Sequence, residues 1–208
     1  MTRAAALLAT AAVVIGLAVG GVFALRRPAG DAFADCRDGA VAGGAASIGG
    51  PFALTAPDGR RVTEAEAITG PTLVYFGYAS CPDFCPTDLA RNALAADVLA
   101  ERGVGVGQLF ITIDPARDTP EAVGGFTQAI HPDLLGLTGT AADVDAAARA
   151  YKVYYRKSGD DPLFYMMDHT TFSYLMAPGV GFLEVYRSEA RPEAVADSVA
   201  CFVVALPD

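Results

Sequence analysis

The chain has 208 residues, 52% of them hydrophobic, with 24 acidic against 15 basic side chains and a formal net charge of −9. That length buries one good core and is short for two, so one compact domain with an addition at one end is predicted. The acidic balance argues against nucleic acid and anionic lipid surfaces as partners and suits a cationic partner or cargo.

The addition is at the N-terminus. Residues 4–25 form an uncharged run rich in Ala, Val and Leu between Arg3 and Arg26-Arg27. As a helix it would be about 33 Å long, close to the hydrocarbon thickness of about 30 Å. It is longer than the apolar region of a cleaved secretory signal and runs straight into two arginines, so it reads as an uncleaved single-pass anchor. The flanking arginines do not vote clearly on orientation; a lone N-terminal span acts as an export signal, which puts the rest of the chain outside the cytoplasm. Residues 26–47, dominated by Ala, Gly and Asp, read as a linker, and 48–208 as the folded domain.

Four cysteines in an exported chain invite a disulfide reading. Cys36 lies just ahead of the domain and Cys201 in its last apolar segment, and chain ends often meet, so a structural Cys36–Cys201 bridge is one expectation. One buried thiol and one idle thiol is the other.

Ile48 to Leu54, the turn Pro57-Asp58-Gly59-Arg60 and Arg61-Val62-Thr63 predict an N-terminal hairpin. Leu73 to Tyr78 is a continuous apolar run, as in a strand buried on both faces. A helix from Thr87 to Arg102 follows, with Leu89, Leu94, Val98 and Leu99 at helical spacing, then a second buried strand, Gln108 to Ile113. Thr119-Pro120-Glu121 is a capped start for a helix to Ile130. Next come a strand at 134–137, a helix at 141–150 and an aromatic strand around Val153-Tyr154-Tyr155. Phe172 to Met176 and Phe182 to Tyr186 form a hairpin through Pro178-Gly179-Val180-Gly181, and a last helix runs from Pro192 to about Val204. This order predicts an α/β fold of the thioredoxin-like kind, with a central mixed sheet flanked by helices.

Cys81 and Cys85 follow the first buried strand, in Ser80-Cys81-Pro82-Asp83-Phe84-Cys85-Pro86. Pro86 is tolerated in a helix's first turn but not its interior, so both sulfurs fall at a helix N-terminus, where unpaired amides favour thiolate. Thiolate serves a metal site and a redox dithiol equally well. A thioredoxin-type redox pair has two residues between its cysteines; this loop has three, stiffened by Pro82 and Pro86, and leaves room for a third donor. His169 is the candidate: two thiolates and a neutral imidazole would make a soft trigonal set for Cu(I), with Cu(II) accommodated if another donor joins, while an ordinary Cys81–Cys85 structural disulfide and a surface ion pair of His169 with Asp168 are the plain alternatives. Asp168 either orients the imidazole as an outer partner or caps a turn. Met166 and Met167 can lend a thioether but are more simply core filler, and Asp114-Pro115 to Pro120 is most simply a strand exit and helix cap.

The segment Phe76 to Pro86, the segment Asp114-Pro115-Ala116-Arg117-Asp118-Thr119-Pro120, the pair Asp168-His169 and the opening Ile48-Gly49-Gly50-Pro51-Phe52 together resemble the Sco/SenC family of copper chaperones. The resemblance covers Ile48 to the C-terminus, with four motifs in the family's order. It implies a membrane-anchored metallochaperone, not an enzyme, of the inner (plasma) membrane with its domain on the periplasmic side. One copper ion, Cu(I) or Cu(II), would be held by Cys81, Cys85 and His169, received from an upstream copper donor and delivered to the CuA site of cytochrome c oxidase subunit II. Cys36 and Cys201 lie outside the family pattern. The rival reading is a thiol–disulfide oxidoreductase that reduces the acceptor's cysteines, with Cys81 attacking and Cys85 resolving.

Overall fold

The computed structural model describes residues 32–37, 47–161 and 164–206. The expected anchor, 4–25, and most of the expected linker lie outside the described residues. Among those described, no helix is long and apolar enough to cross a membrane. Cys36–Asp208 is one compact unit, and the architecture below is its own.

β1 (Ala53–Thr55) and β2 (Arg61–Thr63) pair antiparallel, Leu54 opposite Val62, through a turn in which Gly59 has φ +82°. A one-turn helix, α1 (Glu64–Ala67), leads to β3 (Thr72–Gly77), every residue of which is buried. Side chains alternate between faces along a strand, so full burial means that both faces of β3 are covered. β3 pairs parallel with β4 (Gly107–Thr112), and β4 pairs parallel with β5 (Leu134–Leu137). Parallel neighbours need long crossovers, which α2 (Phe84–Glu101) and α3 (Pro120–Ile130) provide. Thr119 caps α3 by accepting the Ala122 N–H, with Pro120 in the first turn.

After α4 (Ala141–Ala150) the chain makes a separate hairpin of β6 (Tyr155–Ser158) and β7 (Met166–His169), then returns to the main sheet with β8 (Ser173–Ala177) and β9 (Gly181–Tyr186). β8 lies antiparallel beside β3, giving the order β5-β4-β3-β8-β9: a mixed sheet with β3 at its centre, as expected of a thioredoxin-like domain. α5 (Pro192–Ala205) closes the unit. Phe76, Tyr151 and Tyr174 pack as a ring cluster in the core, with centroids 5.1 Å apart for Phe76–Tyr151 and 5.9 Å for Tyr151–Tyr174. Cys36 is disulfide-bonded to Cys201 of α5, their Cα atoms 5.7 Å apart, so the middle of the expected linker is tied to the last helix.

Two expectations are corrected. The strand anticipated around Val153-Tyr154-Tyr155 starts only at Tyr155 and runs through the polar Arg156, Lys157 and Ser158, pairing with β7 instead of joining the main sheet. Its residues are half-buried or exposed, so no apolar run marked it; β7's backbone supplies its hydrogen bonds. Leu94 is 55% exposed, because α2 turns Leu89, Ala93, Ala96 and Leu99 inward and Leu94 lies well round the helix from Leu89.

Candidate metal centre

β3 sits at the middle of the sheet, so the loop leaving its carboxyl end opens over the centre of the molecule. The Cys81 N–H donates to the Tyr78 carbonyl (3.1 Å), closing a turn, and α2 begins at Phe84, which puts Cys85 in its first turn. First-turn amides have no partner within the helix. The Cys85 N–H finds one outside, donating to Cys81 Sγ at 3.4 Å. Pro86, also in that turn, has no N–H to leave unpaired. Cys81 is 9% exposed and Cys85 wholly buried, its sulfur so close to β3 that a Cβ on Gly77 would stand 2.7 Å from it.

His169 ends β7 and brings Nε2 within 3.5 Å of Cys85 Sγ. Its Nδ1 lies 2.9 Å from the Thr170 carbonyl oxygen. A carbonyl only accepts, so the ring proton is on Nδ1 and the Nε2 lone pair faces the sulfurs. Tyr75 and Tyr78 meet the imidazole edge-on, with centroids at 6.3 and 5.9 Å, and fix its plane. The two sulfurs and a ring nitrogen lie within 4.8 Å of one another. Two soft donors and a neutral imidazole at that separation suit three-coordinate Cu(I). Over them opens a cavity of about 460 Å³, lined among others by Tyr78, Cys81, Phe84, Met166 and His169.

The thiols are unequal. Cys81 is lowered, chiefly by the hydrogen bond the Cys85 thiol donates to it and, against the cost of burial, by the amides of Cys85 and Asp83. Cys85 is raised, first by that same bond, which keeps its proton in place, and then by burial. In the metal-free pair Cys81 is therefore the thiolate and Cys85 the thiol, titrating as a unit.

Asp168 does not orient the imidazole. It lies on the other face of β7 from His169, its carboxylate 3.0 Å from Arg156 Nη2, and the Thr170 carbonyl takes the orienting role that was one of its two readings. His131 lies well away from this site, at the end of α3 beside Gln108 and Asp97.

The Asp114–Pro120 segment does more than leave a strand. Asp118, buried, accepts the Ala79 N–H at 2.9 Å and the Thr112 hydroxyl at 2.5 Å, tying the cysteine loop to the end of β4. Asp114 accepts from the Tyr165 hydroxyl (2.7 Å) and from Arg117 Nε, while Arg117 Nη1 donates to the Tyr165 carbonyl. The Arg117 guanidinium also stacks 3.6 Å from the Tyr165 ring. Since Tyr165 immediately precedes β7, one short segment holds both the cysteine loop and the hairpin that carries His169. Its position at the carboxyl end of a parallel strand was the available signal; nothing in the sequence pointed to Tyr165. Below the site, Tyr75 and Ser188 donate to the buried Asp88 carboxylate at 3.0 and 2.8 Å, and burial raises its pKa.

The SCO1/SenC family profile matches residues 40–204. The chain is 49% identical to Protein SenC of Rhodobacter capsulatus over 99% of its own length and 92% of that protein's. It is 41% identical to the mitochondrial Protein SCO1 homolog 1 of Arabidopsis thaliana over 75% of this chain and 47% of the relative, so it spans about half of that longer protein. Among solved structures, Arabidopsis thaliana ScoI with copper bound is 39% identical and superposes with a TM-score of 0.71, covering 74% of this chain and 98% of that one.

Proposed function

The chain belongs to the SCO1/SenC family, and from that premise we propose that it is a copper metallochaperone. It holds one copper ion between Cys81, Cys85 and His169 and passes it to the CuA site of cytochrome c oxidase subunit II. In this reading residues 4–25 anchor it in the inner membrane, the domain lies on the periplasmic side, and an upstream donor loads it. The observation that carries the reading is the meeting of two sulfurs and a lone-pair-bearing Nε2 under an open cavity. The copper-bound relative adds support.

Loading costs the pair protons: Cys81 binds as the thiolate it already is, and Cys85 gives up its proton as its sulfur meets the metal. His169 binds without losing a proton, because its N–H is engaged at the other ring nitrogen. Delivery is ligand exchange: an acceptor's donors replace these one by one, and copper keeps its oxidation state throughout. Cu(I) is satisfied by the three donors, and Cu(II) takes a further one from the open cavity.

The inequality of the thiols also favours a second reading, exchange of disulfides with the acceptor. The Cys81 thiolate would attack an acceptor disulfide, forming a mixed disulfide and releasing one acceptor thiolate. Cys85, deprotonated, would then displace the other, leaving a reduced acceptor and a Cys81–Cys85 disulfide after transfer of two electrons.

Copper titration of the full chain in detergent, reduced and metal-free, tests both. One equivalent of Cu(I) is expected in the parent, weakened roughly a hundredfold by each of Cys81→Ser, Cys85→Ser and His169→Ala. Disulfide exchange requires both cysteines and tolerates His169→Ala. Copper affinity unchanged by His169→Ala removes His169 from the site.

A further inference from the structure

Cys85 and His169 come from different elements, and one ring packs against both. A Cβ on Gly77 would stand 2.7 Å from Cys85 Sγ and 3.0 Å from Tyr75 Cε1, so the sulfur and the edge of the Tyr75 ring crowd one point beside β3. The same ring meets the His169 imidazole edge-on, with centroids 6.3 Å apart. Tyr75 is wholly buried, and its hydroxyl donates to Asp88 Oδ2 at 3.0 Å. Asp88 is wholly buried as well, one turn after Cys85 on α2. The Ser188 hydroxyl donates to the same oxygen at 2.8 Å and lies 3.4 Å from the carbonyl oxygen of Thr171, two residues beyond His169. The other carboxylate oxygen, Oδ1, is buried and has no donor among the described residues. Arg91, three residues on in α2, gives its hydrogen bonds to the Arg187 and Ala190 carbonyls and to Ser173 instead. A carboxylate left half-satisfied in the core costs the fold free energy, so stability alone is a poor reason for it. What it does hold is Tyr75.

We propose that Asp88 is a positioning residue of the metal centre: by holding the Tyr75 hydroxyl it fixes the Tyr75 ring as the spacer between the Cys85 sulfur and the His169 imidazole. This deepens the copper-carrier reading above and rests on it. Asp88 acts through Tyr75 and is not a ligand. Without its carboxylate the phenol is a buried donor with no acceptor, and the ring has to shift to find one. Both donors packed on that ring then shift with it, and the three-donor set loses its separation before copper arrives. Tyr75→Phe keeps the ring and removes the hydroxyl. Asp88→Asn keeps an oxygen that accepts from Tyr75 and Ser188 and removes the charge, whereas Asp88→Ala removes both.

The test uses the full chain in detergent, reduced and metal-free, with its histidines labelled with nitrogen-15. Histidine NMR is recorded first, and Cu(I) affinity is then measured by competition with a chromophoric chelator. The variants are Tyr75→Phe, Asp88→Asn, Asp88→Ala and Tyr75→Phe/Asp88→Ala, with Cys36→Ser/Cys201→Ser as a variant altered far from the donors. Tyr75→Phe and Asp88→Ala are each expected to lower Cu(I) affinity about tenfold and to move the His169 ring signals while those of His131 stay in place. The double variant is expected to lose no more than either single one, because the two residues act as a unit, and Asp88→Asn to stay within about twofold of the parent. Additive losses, parent-like affinity in Tyr75→Phe, an Asp88→Asn as weak as Asp88→Ala, or an equal loss in Cys36→Ser/Cys201→Ser overturns the positioning role. If Asp88→Ala does not fold, Tyr75→Phe and Asp88→Asn decide by the same criteria. A parent chain that takes up no copper removes the carrier reading itself, and the metal-free His169 signals still report whether Asp88 and Tyr75 hold the ring.

Discussion

The Asp118 carboxylate accepts the Ala79 N–H at 2.9 Å, and through that bond a residue of the loop between β4 and α3 holds the loop that carries Cys81. Ala79 is two residues before Cys81, so the bond sets where the loop leaves β3. The Thr112 hydroxyl donates to the same oxygen, and the Thr138 hydroxyl donates to the Asp118 carbonyl. A buried carboxylate is the hub between two parallel strand ends.

That burial has a pH signature. Desolvation raises the Asp118 pKa, against the lowering effect of Thr112 and the Ala79 amide. A carboxyl raised in the folded state binds its proton more tightly there than in the unfolded chain. Its contribution is therefore fully present below the ordinary carboxyl value of about 3.9 and is lost as pH rises through the higher folded value. Asp118→Asn, which cannot ionise, is expected to gain on the parent as pH climbs through that window and to run parallel above it. Urea unfolding at a series of pH values measures this, and a parent that gains on the variant over the window contradicts it.

Gly77→Ala should damage the site while leaving the three donor residues in place. The added methyl would stand 2.7 Å from Cys85 Sγ, 3.0 Å from Tyr75 Cε1 and 3.2 Å from Phe110 Cε2. Tyr75 and Phe110 are wholly buried and have little room to yield, so the sulfur moves. A tenfold or greater loss of Cu(I) affinity is expected by chelator competition, together with a destabilisation of about 1–3 kcal/mol from overpacking. Unaltered copper affinity would show that the Cys85 sulfur tolerates displacement.

Tyr165→Phe removes one hydroxyl and leaves Asp114 Oδ1 without the 2.7 Å bond it receives. The cost to stability should be about 1–3 kcal/mol, and the hairpin bearing His169 should loosen. Faster amide exchange across residues 155–169, with copper affinity down about tenfold, is the expected pair of results. Arg117→Ala should act in the same direction, since its guanidinium binds Asp114, the Tyr165 carbonyl and the Tyr165 ring.

The Cys36–Cys201 disulfide closes a loop with a sequence separation of 165, so its loss should release much chain entropy on unfolding. Removing it with Cys36→Ser/Cys201→Ser is expected to cost about 2–5 kcal/mol, read as a lower urea midpoint. Alkylation of the unreduced, denatured parent should label two cysteines, Cys81 and Cys85, and reduction beforehand should raise the number to four. Four reactive thiols without reductant would show that the bridge does not form in solution.

Local pattern made the scaffold legible. The apolar run of β3, the capped start of α3 and the turn glycines each carry their own backbone preference, and they read correctly one by one. The candidate metal set was nameable as well, because cysteine and histidine are scarce here, with four and two in the chain, and their chemistry narrows what they can do together. What the sequence could not determine was direction and contact. Asp168, beside His169, could from the sequence either orient the ring or cap a turn, and strand alternation turns its side chain to the opposite face while a backbone carbonyl holds the ring. Nor does any local pattern place Tyr165 on Asp114 or Asp118 on Ala79, since these pairs join strand ends and loops far apart in the chain. Composition and local spacing alone specified which atoms could bind a soft metal. Only the packing of β3, β4 and the β6–β7 hairpin decided that two sulfurs and one chosen ring nitrogen meet within 4.8 Å, because contacts over that distance in sequence exist only once the core has closed.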